Sequence, residues 1–286
     1  MVCANTGCRL TLICLPNRGN FTYALPRDIE EISRLDFQHY MLRYALQGLY
    51  FAPLNNRMLD VGTGTGRWAL EMAQLFPRAN VIGVDVNPPP ADERAAMGVD
   101  VRPPNYAFTP SNVLEGLPFE DGVFDFVHMR LLFTAIPSDR WPLVVRELAR
   151  VTRRGGWVES VETTGLHDGG PYVELLMEWI RQLSARRGVD LANSTRVADF
   201  MREAGLANVA GTVIKVPTGD YGGRVGTLVA ADFLAVAKGY GGLIVGAGLT
   251  TPAQFDQAMA GMEADFKEPR IRCYTPFSIA IGQRIG

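Results

Sequence analysis

Arg57-Met-Leu-Asp-Val-Gly-Thr-Gly-Thr-Gly-Arg67 is a short apolar run, a turn of alternating glycines and the start of a helical pattern that reaches about residue 76. A second apolar run follows, Val81-Ile-Gly-Val-Asp-Val-Asn87, with Asp85 at its end. Gly62, Gly64 and Gly66 can adopt positive φ at no steric cost, so a ligand can lie against bare backbone. The first turn of the helix carries N–H groups without intrahelical partners, and these point at that ligand. A carboxylate at the next strand's end can accept both hydroxyls of a ribose. The stretch predicts a strand, turn and helix that cradle a nucleotide.

Spacing decides which nucleotide. A dinucleotide fingerprint is G-x-G-x-x-G, whereas here the glycines fall at 62, 64 and 66, Arg67 follows, and the acidic Asp60 precedes them. This D-x-G-x-G-x-G arrangement, with Asp85 downstream, resembles motif I of the class I S-adenosylmethionine methyltransferases. The resemblance implies S-adenosylmethionine as cofactor. It puts Asp60 near the ligand's methionine end, the turn of Gly62, Thr63, Gly64 and Gly66 against the ligand, and Asp85 with Val86 at the ribose. In Ser111-Asn112-Val113, the place where the family usually has an adenine-reading Asp is taken by Asn112, whose side-chain oxygen still accepts that hydrogen bond. Val113 and Met129 complete the implied cofactor set. An NAD-type pocket is the alternative reading of the glycines.

Strands alternating with helices around this stretch predict an α/β fold, a Rossmann-like doubly wound seven-stranded sheet with an N-terminal helix and helical lid insertions. The N-terminal helix is expected over 27–50, where Ile29, Ile32, Leu35, Leu42, Ala45, Leu46 and Leu49 recur at helical spacing. Strands are expected at 57–61, 80–85, 106–109, 124–128 and 157–162, with helices at 67–76 and 141–151. Val173, Leu176, Met177, Ile180 and Leu183 predict an amphipathic helix over 171–187, and another over 194–204 ends at Gly205. Strands six and seven, at 209–217 and 275–284, would pair antiparallel as in the resembling family. Lid helices are expected near 171–187 and 226–267. Residues 1–26, with Pro16, Asn17, Gly19 and Asn20, read as an irregular arm, and 27–286 as a single methyltransferase domain.

Phe119-Glu-Asp-Gly-Val-Phe-Asp-Phe-Val-His128 resembles the fourth-strand motif of the same family, and Arg153-Arg-Gly-Gly-Trp157 the turn before its fifth strand. A narrower likeness comes from Tyr23-Ala-Leu-Pro-Arg-Asp28, Arg34-Leu-Asp-Phe-Gln-His39, Phe126-Val-His-Met-Arg130 and Trp141-Pro-Leu-Val144. Together they resemble the secondary-metabolism methyltransferases of the fungal LaeA type, over about residues 23–162. Bacterial natural-product C- and O-methyltransferases, including the teleocidin-pathway type that methylates a prenyl chain, share this layout.

Composition narrows the partners. With 47% hydrophobic and 20% charged residues, the chain can bury a sizeable core. Its net charge is −2, from 28 basic and 30 acidic residues, and no basic block stands out. A nucleic-acid partner is therefore disfavoured, because a phosphate backbone calls for a cationic face. Leu10-Thr-Leu-Ile-Cys-Leu15 is too short for an export signal, and no uninterrupted apolar run reaches membrane-spanning length. A cytoplasmic protein without a membrane partner is expected. Cys3, Cys8 and Cys14 cluster while Cys273 stands alone; the spacing matches no common zinc pattern, so no metal site is expected.

Methyl transfer needs an aligned nucleophile and exclusion of water, with a base only where the nucleophile must lose a proton. No catalytic triad is visible. His167, beside Asp168 after the fifth strand, is a candidate base or a solvated loop residue. Glu162 is a candidate base or a carboxylate that holds loops together, and Tyr23 is the third catalytic candidate. Phe21, Tyr23, Trp68 and Phe133 are aromatic faces suited to a sulfonium, or packing residues. His39 reads as a satisfied structural histidine, and His128 as a satisfied core histidine or a contact for substrate or cofactor. Arg130 reads as a salt-bridge partner of Asp125 or Glu120, or as a contact for an acidic substrate. Met177 reads as core or as the wall of an adaptable pocket. Phe21 and Tyr23 are expected to close over the ligand, with the arm exchanged between copies of a homo-oligomer. The function expected is S-adenosylmethionine-dependent C- or O-methylation of a small, fairly apolar natural product. The competing readings are a LaeA-type regulatory protein that binds the cofactor without turnover, and an NAD-linked oxidoreductase.

Overall fold

The apolar runs on either side of the glycine turn become neighbouring parallel strands in a computed structural model that describes residues 34–86 and 103–286. β1 (Arg57–Val61) pairs with β2 (Asn80–Asp85) and with β4 (Phe124–Arg130). β2 pairs with β3 (Tyr106–Pro110), and β4 with β5 (Thr152–Thr163), again parallel. β7 (Tyr274–Gln283) runs antiparallel between β5 and β6 (Ala207–Pro217), giving the order β3-β2-β1-β4-β5-β7-β6. The winding reverses between β1 and β4, so a crevice opens at the carboxyl ends of these two strands. Asp60, Val61 and the glycine turn lie at its mouth.

The helices are α1 (Arg34–Ala45), α2 (Arg67–Leu75), α3 (Trp141–Val151), α4 (Pro171–Arg186), α5 (Val197–Glu203), α6 (Gly223–Gly246) and α7 (Pro252–Lys267). α3 shows the rule that places them. Trp141, Val144, Val145 and Leu148 recur at helical spacing and are buried with Phe124, Val127 and Val158 of the sheet. Each such aliphatic side chain stabilises the fold by about 1.5–3 kcal/mol. Trp68, Met72 and Phe126 belong to a second cluster, built on α2. A third core of Leu176, Ile180, Ala237, Ile244, Phe255 and Met262 joins α4, α6 and α7, and Phe133 packs against it from the end of β4.

Four local differences from expectation have physical causes. The first helix ends at Ala45 rather than at 50, because Gln47 takes φ +56°, the left-handed conformation that stops a helix; its expected start and the 1–26 arm lie outside the described residues. The helix expected from 194 begins as a 3-10 turn, Leu191–Arg196, whose cap Asp190 accepts from the Ala192 N–H at 2.9 Å. The turn expected before the fifth strand is a bulge: residues 153–156 loop out between the Phe124–Thr152 and Phe126–Trp157 pairs. Finally, the helical stretch Asp220–Gly246 holds an 18-residue window of mean hydropathy 1.6 and is long and apolar enough by length and composition to cross a membrane. Asp232 and Lys238 interrupt its apolar run, and 33% of the apolar window is buried inside the protein.

Candidate active site

The turn after β1 has the conformation its glycines allow, with φ of 70° at Gly62, 56° at Gly64 and 81° at Gly66. The N–H groups of Gly62 and Thr63 both donate to the Val84 carbonyl at 2.9 Å, stitching the turn to β2. Asp85 accepts from the Gly64 N–H at 3.0 Å, and Thr63 Oγ1 donates to Asp60 Oδ2 at 2.6 Å. From α1, buried Asp36 accepts from Thr65 Oγ1 at 2.5 Å and from Arg67 Nε at 2.6 Å. That clamp was not read from the sequence, although Asp36 lies inside the 34–39 segment quoted for the family resemblance.

Behind the turn, β1, β4 and β5 stand in register at Asp60, His128 and Glu159, so three buried ionisable side chains form a row across the sheet. His128 Nδ1 donates to Asp60 Oδ1 at 2.8 Å, and its ring stacks on the Trp68 indole with 4.0 Å between centroids. Burial lowers the His128 pKa and keeps the ring neutral, with the proton on the nitrogen that faces Asp60. His128 Nε2 stands 4.0 Å from Glu159 Oε1. The other Glu159 oxygen accepts from the N–H groups of Phe51 at 2.6 Å and Ala52 at 2.8 Å, while burial pushes this carboxyl up to about 7.

Arg130, two residues further along β4, donates to His39 Nδ1 at 3.2 Å, and His39 Nε2 donates to Glu71 at 2.7 Å. His39 thus makes the structural hydrogen bonds expected of it. Arg130 pairs with neither Asp125 nor Glu120: Asp125 instead accepts from the Arg57 N–H at 2.7 Å and pairs with Arg153. Burial lowers the Arg130 pKa, and the nearby acidic groups of Asp60, Glu71, Glu159 and Glu162 oppose that shift.

Arg130 and His39 border a cavity of about 210 Å³ that Asp60, Gly62, Thr63, Gly64 and Asp85 also line. A second cavity of about 170 Å³ lies between α1, α4, α6 and the strand-end loops, with mostly apolar walls that include Met41, Phe133, Met177, Ile180 and Phe277. Leu35, Gln38 and Leu131 line both. Leu131 has φ +56°, an uncommon and strained conformation for a bulky residue. Its N–H donates to the Val161 carbonyl at 3.0 Å, and the next two N–H groups, of Leu132 and Phe133, donate to Glu162 at 3.3 and 3.0 Å. Glu162 is wholly buried, and burial pushes its carboxyl up to about 8. It holds the loop that separates the cavities; it lines neither.

The apolar cavity contains one carboxylate that sequence reasoning missed. Asp232 of α6 is 2% exposed; Gln38 Nε2 donates to its Oδ2 at 3.0 Å, and its Oδ1 is buried without a partner. Burial pushes this carboxyl up to about 6.

Of the expected cofactor set, Asp60, Gly62, Thr63, Gly64 and Asp85 come together on one cavity, Gly66 caps α2, and Val86 is exposed beside Asp85. Met129 is a correction: alternation along β4 turns its side chain away from the face of His128 and Arg130, into the core with Val127 and Val145. Asn112 lies on the turn after β3: its Oδ1 accepts from the Leu114 N–H at 3.1 Å and its Nδ2 donates to Glu115 at 2.9 Å, capping the 3-10 turn Val113–Glu115, while Val113 packs on the core. His167 is a second correction. It bridges Tyr274 through two backbone hydrogen bonds of 2.9 Å, stacks on that ring and bonds Thr164 Oγ1 at 2.7 Å, away from both cavities. Phe133 and Met177 do line the apolar cavity. A Cβ at Gly165, where φ is +93°, would stand 2.3 Å from Met177 Cε, so glycine there makes room for the methionine. Phe21, Tyr23, Cys3, Cys8 and Cys14 lie outside the described residues, and Cys273 is buried. Among the described residues no group of three or more side chains could hold a metal ion.

Residues 58–156 match a family described as a methyltransferase domain. The chain is 34% identical over 140 residues to methyltransferase str2 of Strobilurus tenacellus, covering 48% of this chain and 47% of that protein. It is 34% identical over 152 residues to the secondary metabolism regulator laeA of Aspergillus fumigatus, covering 49% of this chain and 36% of that one. The matched segments thus span about half or less of these relatives' length. Among solved structures, phosphoethanolamine N-methyltransferase 2 of Haemonchus contortus, in complex with phosphomonomethylethanolamine and S-adenosylhomocysteine, is similar with a TM-score of 0.52 at 15% identity, covering 89% of this chain and 61% of that one. Strand order, the acid-flanked glycine turn and these likenesses agree: the fold is that of the class I S-adenosylmethionine-dependent methyltransferases, residues 58–156 carry the methyltransferase-domain match, and the chain is similar in sequence to methyltransferases and a regulator of secondary metabolism.

Proposed function

We propose that the protein transfers a methyl group from S-adenosylmethionine to carbon or oxygen of a small, fairly apolar natural product. The observation that carries this reading is the meeting of a polar and an apolar cavity at Leu35, Gln38 and Leu131. A reaction between a charged nucleotide and an apolar acceptor needs two such compartments with one junction.

The residues present fit the cofactor. Bare backbone at Gly62 and Gly64 gives close approach, Asp85 at the end of β2 suits ribose hydroxyls, and Asp60 with Arg130 offers both signs of charge for an amino-acid end. When bound, the cofactor supplies an electrophilic methyl. Asp36 holds the turn in place from α1, and Glu162 fixes the strained Leu131 loop at the junction. Phe133, Met177 and Phe277 keep the acceptor side dry, which limits competition by water. The net charge of −2 and the relatedness to secondary-metabolism proteins favour a small-molecule acceptor over nucleic acid.

The test is calorimetry with S-adenosylhomocysteine and with NAD, followed by label transfer from methyl-labelled S-adenosylmethionine to a panel of apolar phenols, enols and isoprenoids. The expected result is binding of the homocysteine product and at least one labelled acceptor. Binding of NAD alone would replace the reading with an oxidoreductase; cofactor binding with no labelled product would favour the LaeA-type regulatory alternative.

A further inference from the structure

We infer that Asp232 reads the acceptor: its free Oδ1 accepts a hydrogen bond from an N–H or O–H group of the substrate, so the apolar cavity selects a small molecule bearing one such donor. The inference rests on the methyltransferase reading and deepens it. A buried carboxylate without full pairing is costly, and buried polar atoms almost always have partners. α6 is otherwise rich in Gly, Ala, Val and Leu, so packing alone gives no reason for an acid there. Oδ2 is committed to Gln38, which fixes the direction of the carboxylate, and Oδ1 is left as the only buried polar side-chain atom of this cavity without a partner among the described residues. Because Gln38 also lines the polar cavity, the same bond sets the distance from Asp232 to the junction.

The groups that face Asp232 leave its Oδ1 without a hydrogen bond. Arg34 of α1 lines the same cavity and its charge opposes the effect of burial on the carboxyl. Tyr240 lies two turns further along α6. The remaining walls, from α4, β5, β7 and the loop after β4, contribute Met177, Ile180, Thr163, Phe277, Phe133 and Thr134, none of which is charged. A donor on the substrate is therefore the missing partner, and an ammonium is a stronger one than a hydroxyl.

The experiment uses three probes of nearly one shape: tryptamine, tryptophol and 3-ethylindole. Each is titrated by calorimetry into the full chain saturated with S-adenosylhomocysteine, for wild type, Asp232→Asn and Asp232→Leu. Wild type is expected to bind tryptamine about tenfold or more tighter than 3-ethylindole, with tryptophol between them. The preference should shrink to about threefold or less in Asp232→Asn and vanish in Asp232→Leu. In wild type it should also fall as the pH drops from about 7.5 to about 5, because the carboxylate gains a proton while the probe keeps its charge, and stay flat in Asp232→Asn. Affinity for S-adenosylhomocysteine should change by less than about threefold in both variants, which reports an intact fold and the first cavity. Equal affinity of wild type for all three probes, an unchanged preference in Asp232→Leu, a pH-independent preference, or no probe binding at all to the loaded protein would overturn the inference and leave the methyltransferase reading standing. Failure of wild type to bind S-adenosylhomocysteine would bring down that reading, and the inference with it.

Discussion

The two cavities share three wall residues and are built on opposite principles. The two carboxylates that line the polar one have partners within the fold: Asp60 takes His128 and Thr63, Asp85 takes the Gly64 N–H, and Asp36 behind them takes Thr65 and Arg67, while Glu159, deeper in the sheet, bonds through one oxygen only. In the apolar one the single carboxylate, Asp232, has one oxygen bonded and one bare. A paired buried acid supports the structure around it, whereas a half-paired one is a stability cost that a bound ligand can offset. The same chemical group should therefore respond to mutation with opposite sign in the two places.

Asp60→Ala is expected to have the largest effect. It strands the His128 Nδ1–H and the Thr63 hydroxyl in a dry site, at about 1–3 kcal/mol for each in denaturant unfolding, with loss of cofactor binding. A variant as stable as wild type would break the contrast. Asp232→Asn should go the other way. Burial holds this carboxyl at about 6 against an ordinary 3.8, so the native state binds its proton more tightly than the unfolded chain does. Stability from that group is present below its unfolded pKa and lost as the pH rises through the folded one. The asparagine variant should gain on wild type by something on the order of 2–3 kcal/mol between about pH 4 and pH 7, read from unfolding curves across that range. Parallel curves for the two proteins would remove the stability cost assigned to Asp232.

Gly165→Ala sharpens the comparison at smaller amplitude. The new methyl meets Met177 Cε and sits at positive φ, so a loss of about 1–2 kcal/mol is expected, with acceptor turnover reduced and S-adenosylhomocysteine affinity kept. Equal damage to both ligands would mean that the cavities do not act as separate compartments. His167→Gln should do least. With its ring tied to Thr164 and Tyr274, the substitution should shift stability by about 0.5 kcal/mol and leave methyl transfer within about twofold. A collapse of turnover would restore His167 as a base.

The polar cavity was legible because its parts are local. Asp60, the glycines and the start of α2 are contiguous, and Asp85 ends the very next strand, so spacing alone puts them together. The row behind them was legible by halves: His128 looked structural, but Glu159 finds its donors at Phe51 and Ala52, more than a hundred positions away. The apolar cavity is non-local throughout. Gln38 and Asp232 are 194 positions apart, and α6 advertises only small apolar residues, so nothing in one sequence pairs them. His167 was misread for a related reason, since its partner strand arrives from the far end of the chain. Asn112 and Met129 were placed by family position. In each case a local demand, a 3-10 cap or the alternation of a strand, fixed where the side chain went.

The central claim is that the glycine turn and its flanking acids hold S-adenosylmethionine. Calorimetric titration of S-adenosylhomocysteine into wild type and Asp85→Ala tests it most directly. The account predicts single-site binding by wild type, weakened about tenfold or more by the substitution, from loss of a charge-assisted hydrogen bond. No binding by wild type, or an affinity that Asp85→Ala leaves untouched, would contradict it.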